Sequence, residues 1–264
     1  MNVAKRLINS LFLLAGLRIS RRQKRAKRGK EKFPNYAGSD FVAIYRKYCR
    51  ESMVPWQGMH DAFLAAKYIA NSGTPGDIVE CGVFRGGMVG LMKDTILQIE
   101  KKSVRNFWLF DTFEGMPKPG PKDLKIGGDR DSTTRKYERL ALPGGGSDWC
   151  LGDLRDVERT LRKSTGGLDR TIFVRGMVED TLRDKSLPEA IALLRLDTDF
   201  YESTKIELEV LLPLLSVGGI LIVDDYGEWA GSREAVQEAL LGQNNFATFT
   251  NHRNGALVAV KTSP

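Results

Sequence analysis

The apolar positions of this chain form short continuous runs separated by stretches with helical spacing. The clearest such unit spans Leu193 to Asp225. Ile191–Leu196 and Gly219–Val223 are short apolar runs of the kind that form buried parallel strands. Between them, Ser203–Leu215 places Ile206, Leu208, Val210, Leu211, Leu214 and Leu215 at helix-like spacing, and Gly218-Gly219 supplies a break. A strand–helix–strand unit pairs its strands in parallel, so both end at the same sheet edge. Asp197 and Asp199 are thereby brought beside Asp224 and Asp225.

The same pattern recurs along the chain. Asp77–Cys81, Phe107–Phe110 and Thr171–Val174 read as strands, with helices from about Met88 to Ile99 and around Asp153–Leu161. Ala247–Thr250 and Ala256–Val260 read as an antiparallel hairpin around Asn254-Gly255. The expectation is an α/β fold: a mostly parallel seven-stranded sheet with an antiparallel C-terminal hairpin and helices on both faces. Residues 33–72 form an aromatic-rich helical cap interrupted at Pro55 and Gly58. Its parts are a loop Glu51–Val54, a helix His60–Ala70 and a helix stop at Asn71–Gly76. The main domain covers 73–264. Within it, about 112–149 is rich in Gly, Pro and charge without an apolar period, which predicts a mobile lid over an acceptor.

Composition changes this picture at one end only. The chain of 264 residues carries a net charge of +7, and Arg21–Lys32 alone holds eight basic residues and one acid. The rest is nearly balanced, so the main domain has no need of nucleic acid. Residues 1–32 form a basic and apolar extension whose apolar stretch is too short to span a bilayer. A helix on an anionic membrane surface is one reading; a tail packed on a partner subunit in a homo-oligomer, or plain disorder, is the other, with equal weight. Three cysteines without metal-ligand spacing suit a reducing cytoplasm, so the protein is expected there or at the inner membrane face. Two histidines and no G-x-S-x-G exclude a serine–histidine hydrolase.

Either aspartate pair alone reads most simply as a helix cap or a solvated charge. Two pairs converging on the edge where parallel sheets bind ligands change that balance. Gathered carboxylates repel unless a cation sits among them, and a divalent metal is the simplest one. Hard oxygen ligands favour Mg2+ over zinc. After the strand Asp77–Cys81 comes Gly82-Val83-Phe84-Arg85-Gly86-Gly87, a glycine turn that lets a ligand approach the backbone. Its spacing is neither the dinucleotide fingerprint nor a P-loop. Glu80 at the strand end would repel a pyrophosphate but balance a positively charged amino acid, which favours S-adenosylmethionine over NAD or ATP. Asp111, after the second strand, is placed to accept hydrogen bonds from both ribose hydroxyls. Val178 and Glu179 lie at the edge where adenine would sit.

The stretches VECGVFRGG, LFDTFEGMP, LRLDTDFYEST and GGILIVDDYG, in that order, resemble the macrocin O-methyltransferase family. These are metal-dependent sugar methyltransferases of antibiotic pathways, and the likeness covers roughly Met53 to Tyr226. The architecture is also similar to catechol O-methyltransferase. The resemblance implies a Rossmann-like class I methyltransferase fold with S-adenosylmethionine as donor and a divalent metal on Asp197, Asp224 and Asp225. It makes Asp199 a candidate base or acceptor ligand, leaves open whether Asp197 shares that role, and matches Met53 to a loop closing over the donor. Met88 departs from the pattern, standing where relatives often carry a serine. The expected acceptor is a sugar hydroxyl on a secondary metabolite, a polysaccharide terminus or a lipid-linked glycan. A non-catalytic, membrane-peripheral binding protein on the same scaffold is the alternative.

Overall fold

The computed structural model describes residues 31–143, 145–184, 186–250 and 255–264. The readings placed on residues 1–30 lie outside them, as does the tip of the C-terminal hairpin. Among the described residues no helix is long and apolar enough to cross a membrane.

Among the described residues, seven strands form one sheet: β1 (Asp77–Cys81), β2 (Phe107–Asp111), β3 (Thr171–Arg175), β4 (Ile191–Leu196), β5 (Leu215–Val223), β6 (Phe246–Thr250) and β7 (Leu257–Lys261). Their order is β3-β2-β1-β4-β5-β7-β6. The first five are parallel, and β7 runs antiparallel between β5 and β6. The helices are α1 (Ser39–Tyr48), α2 (Trp56–Ser72), α3 (Gly87–Ile99), α4 (Arg130–Leu140), α5 (Leu154–Leu161), α6 (Val178–Asp184), α7 (Tyr201–Leu211) and α8 (Ala230–Leu240).

Side chains alternate across a strand, so each central strand feeds two cores. Ile78, Leu109, Leu193 and Ile222 pack with α1, α2, α3 and α5. Val79, Phe110, Leu194 and Leu221 pack with α6, α7 and α8. Burial on both faces is why these strands read as apolar runs rather than as alternating ones. The sheet order reverses between β1 and β4, which opens a crevice at their carboxyl ends.

Several boundaries differ from the sequence reading. α7 stops at Leu211 because Pro213 supplies no backbone donor, and a 3-10 turn Leu212–Leu214 follows. β5 therefore starts at Leu215, and Gly218 takes its positive φ of 80° within the strand rather than before it. α2 starts at Trp56, with Pro55 at its N-cap and Gly58 in its first turn. The segment 112–149, read as a lid, contains α4, a helix the sequence pattern concealed, since Thr133 is its only buried residue.

Candidate active site

The site grows from four loops at the carboxyl ends of β1, β2, β4 and β5. After β1, Gly82 adopts φ 80°, and a Cβ there would stand 2.1 Å from the Asp197 carbonyl oxygen. Glycine is thus the residue that lets the β1 and β4 loops touch. The Asp197 N–H donates to the Cys81 carbonyl at 2.9 Å, closing the contact. The Asp111 carboxylate braces the β1 loop by accepting the N–H groups of Val83 (2.7 Å) and Phe84 (3.2 Å) on Oδ2. Its Oδ1 accepts the Phe113 N–H at 2.7 Å. With about four lone-pair sites per carboxylate, Asp111 keeps room for about one ribose hydroxyl rather than two. Phe84, Phe113, Cys150 and Asp199 all hold positive φ without being glycine. Such strain gathers where neighbouring structure fixes a ligand site.

These loops enclose a largely apolar cavity of about 720 Å³, open to solvent at its mouth. Met53, Gly82, Phe84, Asp111, Val178 and Glu179 line it together with Asp197, so one cavity gathers the donor contacts expected of the Met53 loop, the glycine turn, Asp111, Val178 and Glu179. Glu179 presents a buried Oε2 without a hydrogen-bond partner. Glu80 is not in the lining. It lies below the floor, 1% exposed, with Oε1 2.8 Å from Nη1 of Arg195. Burial pushes its carboxyl up to about 7 against the pull of that guanidinium. Its expected role beside the donor is therefore corrected to pairing with Arg195.

Arg195 is itself fully buried and also meets Asp197 Oδ2 at 2.9 Å and Asp224 Oδ1 at 3.2 Å. Burial works against its charge, but Asp197, Asp224 and Glu80 outweigh that and keep it protonated. Asp224 lines the same cavity as Asp197, Asp199 and Asp225 but, held by Arg195, is not in the group whose oxygens converge. The carboxylates that do converge are Asp197, Asp199 and Asp225, whose ligand oxygens lie within 4.8 Å of one another. Asp199 also donates its N–H to Asp225 Oδ2 at 3.2 Å. Burial pushes all three carboxyls up, Asp199 to about 7, and mutual repulsion adds to the effect. Oxygen donors this close, with their charges unfavourable, fit a hard divalent cation.

Neither Asp197 nor Asp199 serves as a helix cap. The Tyr201 N–H at the start of α7 is taken by Asp123 Oδ1 at 2.8 Å, from the lid segment. Thr198 instead donates its hydroxyl to Glu207 Oε2 at 3.1 Å, pinning the aspartate loop to α7.

The Macrocin-O-methyltransferase (TylF) family model matches residues 17–244. The chain belongs to this family. A tetracenomycin-C 4'-O-methyltransferase of Streptomyces olivaceus, which by name acts on 8-demethyl-8-(2,3-dimethoxy-alpha-L-rhamnosyl)-tetracenomycin-C, is 32% identical over 206 residues, 78% of this chain and 71% of that protein. Mycinamicin III 3''-O-methyltransferase of Micromonospora griseorubida is 34% identical over 203 residues, 76% of this chain and 73% of that protein. Among solved structures, the O-methyltransferase NovP superposes with a TM-score of 0.68 at 28% identity, covering 83% of this chain and 88% of its own. The fold is that of class I S-adenosylmethionine-dependent O-methyltransferases, and the chain is an O-methyltransferase. A non-catalytic scaffold is ruled out with that assignment.

A second cavity of about 1230 Å³, more polar, adjoins the first. Met53, Phe84, Cys150, Asp197 and Asp199 line both. Its far wall is Trp149 and Trp229, with ring centroids 6.0 Å apart, together with Lys125, Lys136 and Glu228. The lid segment is fastened to this wall. Lys125 pairs with Glu228 and bridges to Trp229, and the Ala230 N–H donates to the Leu124 carbonyl at 2.9 Å. The sequence reading missed Arg195, Glu207, Lys136 and both tryptophans. Arg195 did carry a signal, since a lone charge inside an apolar strand must find a buried partner. The tryptophans, 80 residues apart in sequence, carried none.

Proposed function

We propose that this enzyme transfers a methyl group from S-adenosylmethionine to a hydroxyl of a sugar, borne by a natural product or a lipid-linked glycan, with a divalent cation such as Mg2+ assisting. The observation that carries this reading is the meeting of two cavities at one carboxylate-lined wall. An apolar cavity with a glycine loop and a ribose-ready aspartate suits the donor, and a polar cavity lined by charged side chains suits a hydroxyl-rich acceptor such as a sugar. The names of the relatives, which include a rhamnosyl substrate, point the same way.

In this reading Met53 and Phe84 cover the donor, Asp111 holds its ribose, and Val178 and Glu179 meet the adenine. Asp197 and Asp225 would hold the cation. Asp224, now with Arg195, and Asp199, now against Asp225, compete for the third place. A bound divalent ion would lower the pKa of an acceptor hydroxyl and orient it. Asp199 takes the proton from that hydroxyl as the oxygen attacks the methyl carbon in line and the sulfonium leaves as a thioether.

Methyl transfer from labelled donor to a panel of glycosylated acceptors tests this. Activity should vanish with EDTA and return with Mg2+. Asp199→Asn should lose about 10²-fold or more in kcat while keeping the metal if it is the base, whereas Asp224→Asn should weaken metal binding itself. Full activity under chelation would overturn the metal assignment.

A further inference from the structure

The acceptor-side cavity contains a cation, Lys136, that has no carboxylate in ion-pair contact among the described residues. Lys136 projects from α4, whose other residues are mostly exposed, into the cavity, with Nζ 3.9 Å from the centre of the Trp149 ring. Tyr137 and Leu140 anchor the helix on the cluster of Trp149, Phe200 and Trp229, so the inward turn of Lys136 is built in. Burial lowers its pKa.

The acids on the same wall are each engaged. Glu228 pairs with Lys125, Glu51 with Lys163 at 3.6 Å, and Asp224 with Arg195 at 3.2 Å. Asp197, Asp199 and Asp225 converge on one another, at the place where the cation was proposed. Among the described residues, no carboxylate lies within ion-pair distance of the Lys136 ammonium, and Asp199 and Glu228 attract it only from farther off. A half-buried ammonium on an aromatic face, at the edge of a polar cavity, is a counter-charge awaiting an anion.

We propose that Lys136 recognises an acidic group, a carboxylate or a phosphate, on the sugar acceptor. The inference rests on the acceptor reading of this cavity and adds the charge class of its occupant. Trp149 and Trp229, both buried, hold the wall in place behind Lys136, which would select for the anionic substituent.

Ligand-observed NMR titrations on the full chain with Mg2+ test this, using D-glucuronate, D-glucose 1-phosphate and D-glucose as probes. At least one anionic sugar should bind about tenfold or more tighter than glucose, the scale of a charged hydrogen bond. Whether glucuronate or the phosphosugar leads identifies carboxylate or phosphate. The preference should disappear in Lys136→Met and persist in Lys136→Arg, while calorimetry shows unchanged donor affinity in both. Equal binding or no binding of all three sugars, or an anionic preference that survives Lys136→Met, would overturn the proposal. If the preference follows Lys136 but no acceptor is ever methylated, the anion site stands and the acceptor reading falls.

Discussion

Asp199 stands where three demands meet: a positive φ of 68°, an N–H held by Asp225, and a carboxyl pushed up to about 7 by burial. The sign of the resulting pH dependence follows directly. With all three carboxyls raised, the cluster holds protons at low pH that a cation must displace. Divalent-ion affinity should therefore fall as pH drops, by about tenfold per pH unit for each proton displaced. Mn2+ titrations followed by water-proton relaxation would show this, and affinity flat from pH 5 to 8 would contradict it. Arg195 makes a second claim at this scale. Removing one member of a buried ion pair leaves the other charge uncompensated, so Arg195→Met should destabilise the fold by about 3–5 kcal/mol in urea unfolding. A loss below about 1 kcal/mol would contradict a charged Arg195 held by Glu80, Asp197 and Asp224.

Among the elements, the contact between the β1 and β4 loops decides whether the donor cavity exists. Gly82→Ala places a Cβ against the Asp197 carbonyl in a left-handed backbone, with an expected cost of at least about 1–2 kcal/mol and a weakened donor site. Thermal unfolding with and without donor measures both, and a wild-type melting curve would contradict the packing described. The central strands were legible in sequence because β1, β2, β4 and the end of β5 are covered on both faces, which leaves continuous apolar runs. The helix α4 was not, because Arg130–Leu140 lies outside the core and shows no apolar stripe. Its place depends on Tyr137 and Leu140 reaching Trp149, a contact that local pattern does not encode. The insertion of β7 between β5 and β6 was equally hidden, since a hairpin's apolar alternation does not say which strand meets the sheet.

At the scale of the molecule, the sheet reversal between β1 and β4 sets the donor cavity beside the acceptor cavity, and residues distant in sequence complete both. The aspartates were readable because strand ends announce themselves. The partner of Glu80 was not, because Arg195 lies 115 residues away, and pairing rather than position determines what that acid does. The donor cavity is the part of the account on which everything else depends. Its most direct test is a calorimetric titration of S-adenosylmethionine into the purified full chain in the presence of EDTA, alongside NAD and the Asp111→Asn variant. The account predicts one binding site for S-adenosylmethionine, no heat from NAD, and donor affinity weakened about tenfold or more in Asp111→Asn, where a charged acceptor for the ribose and the loop amides is lost. No binding of S-adenosylmethionine, or equal binding by the variant, would contradict it.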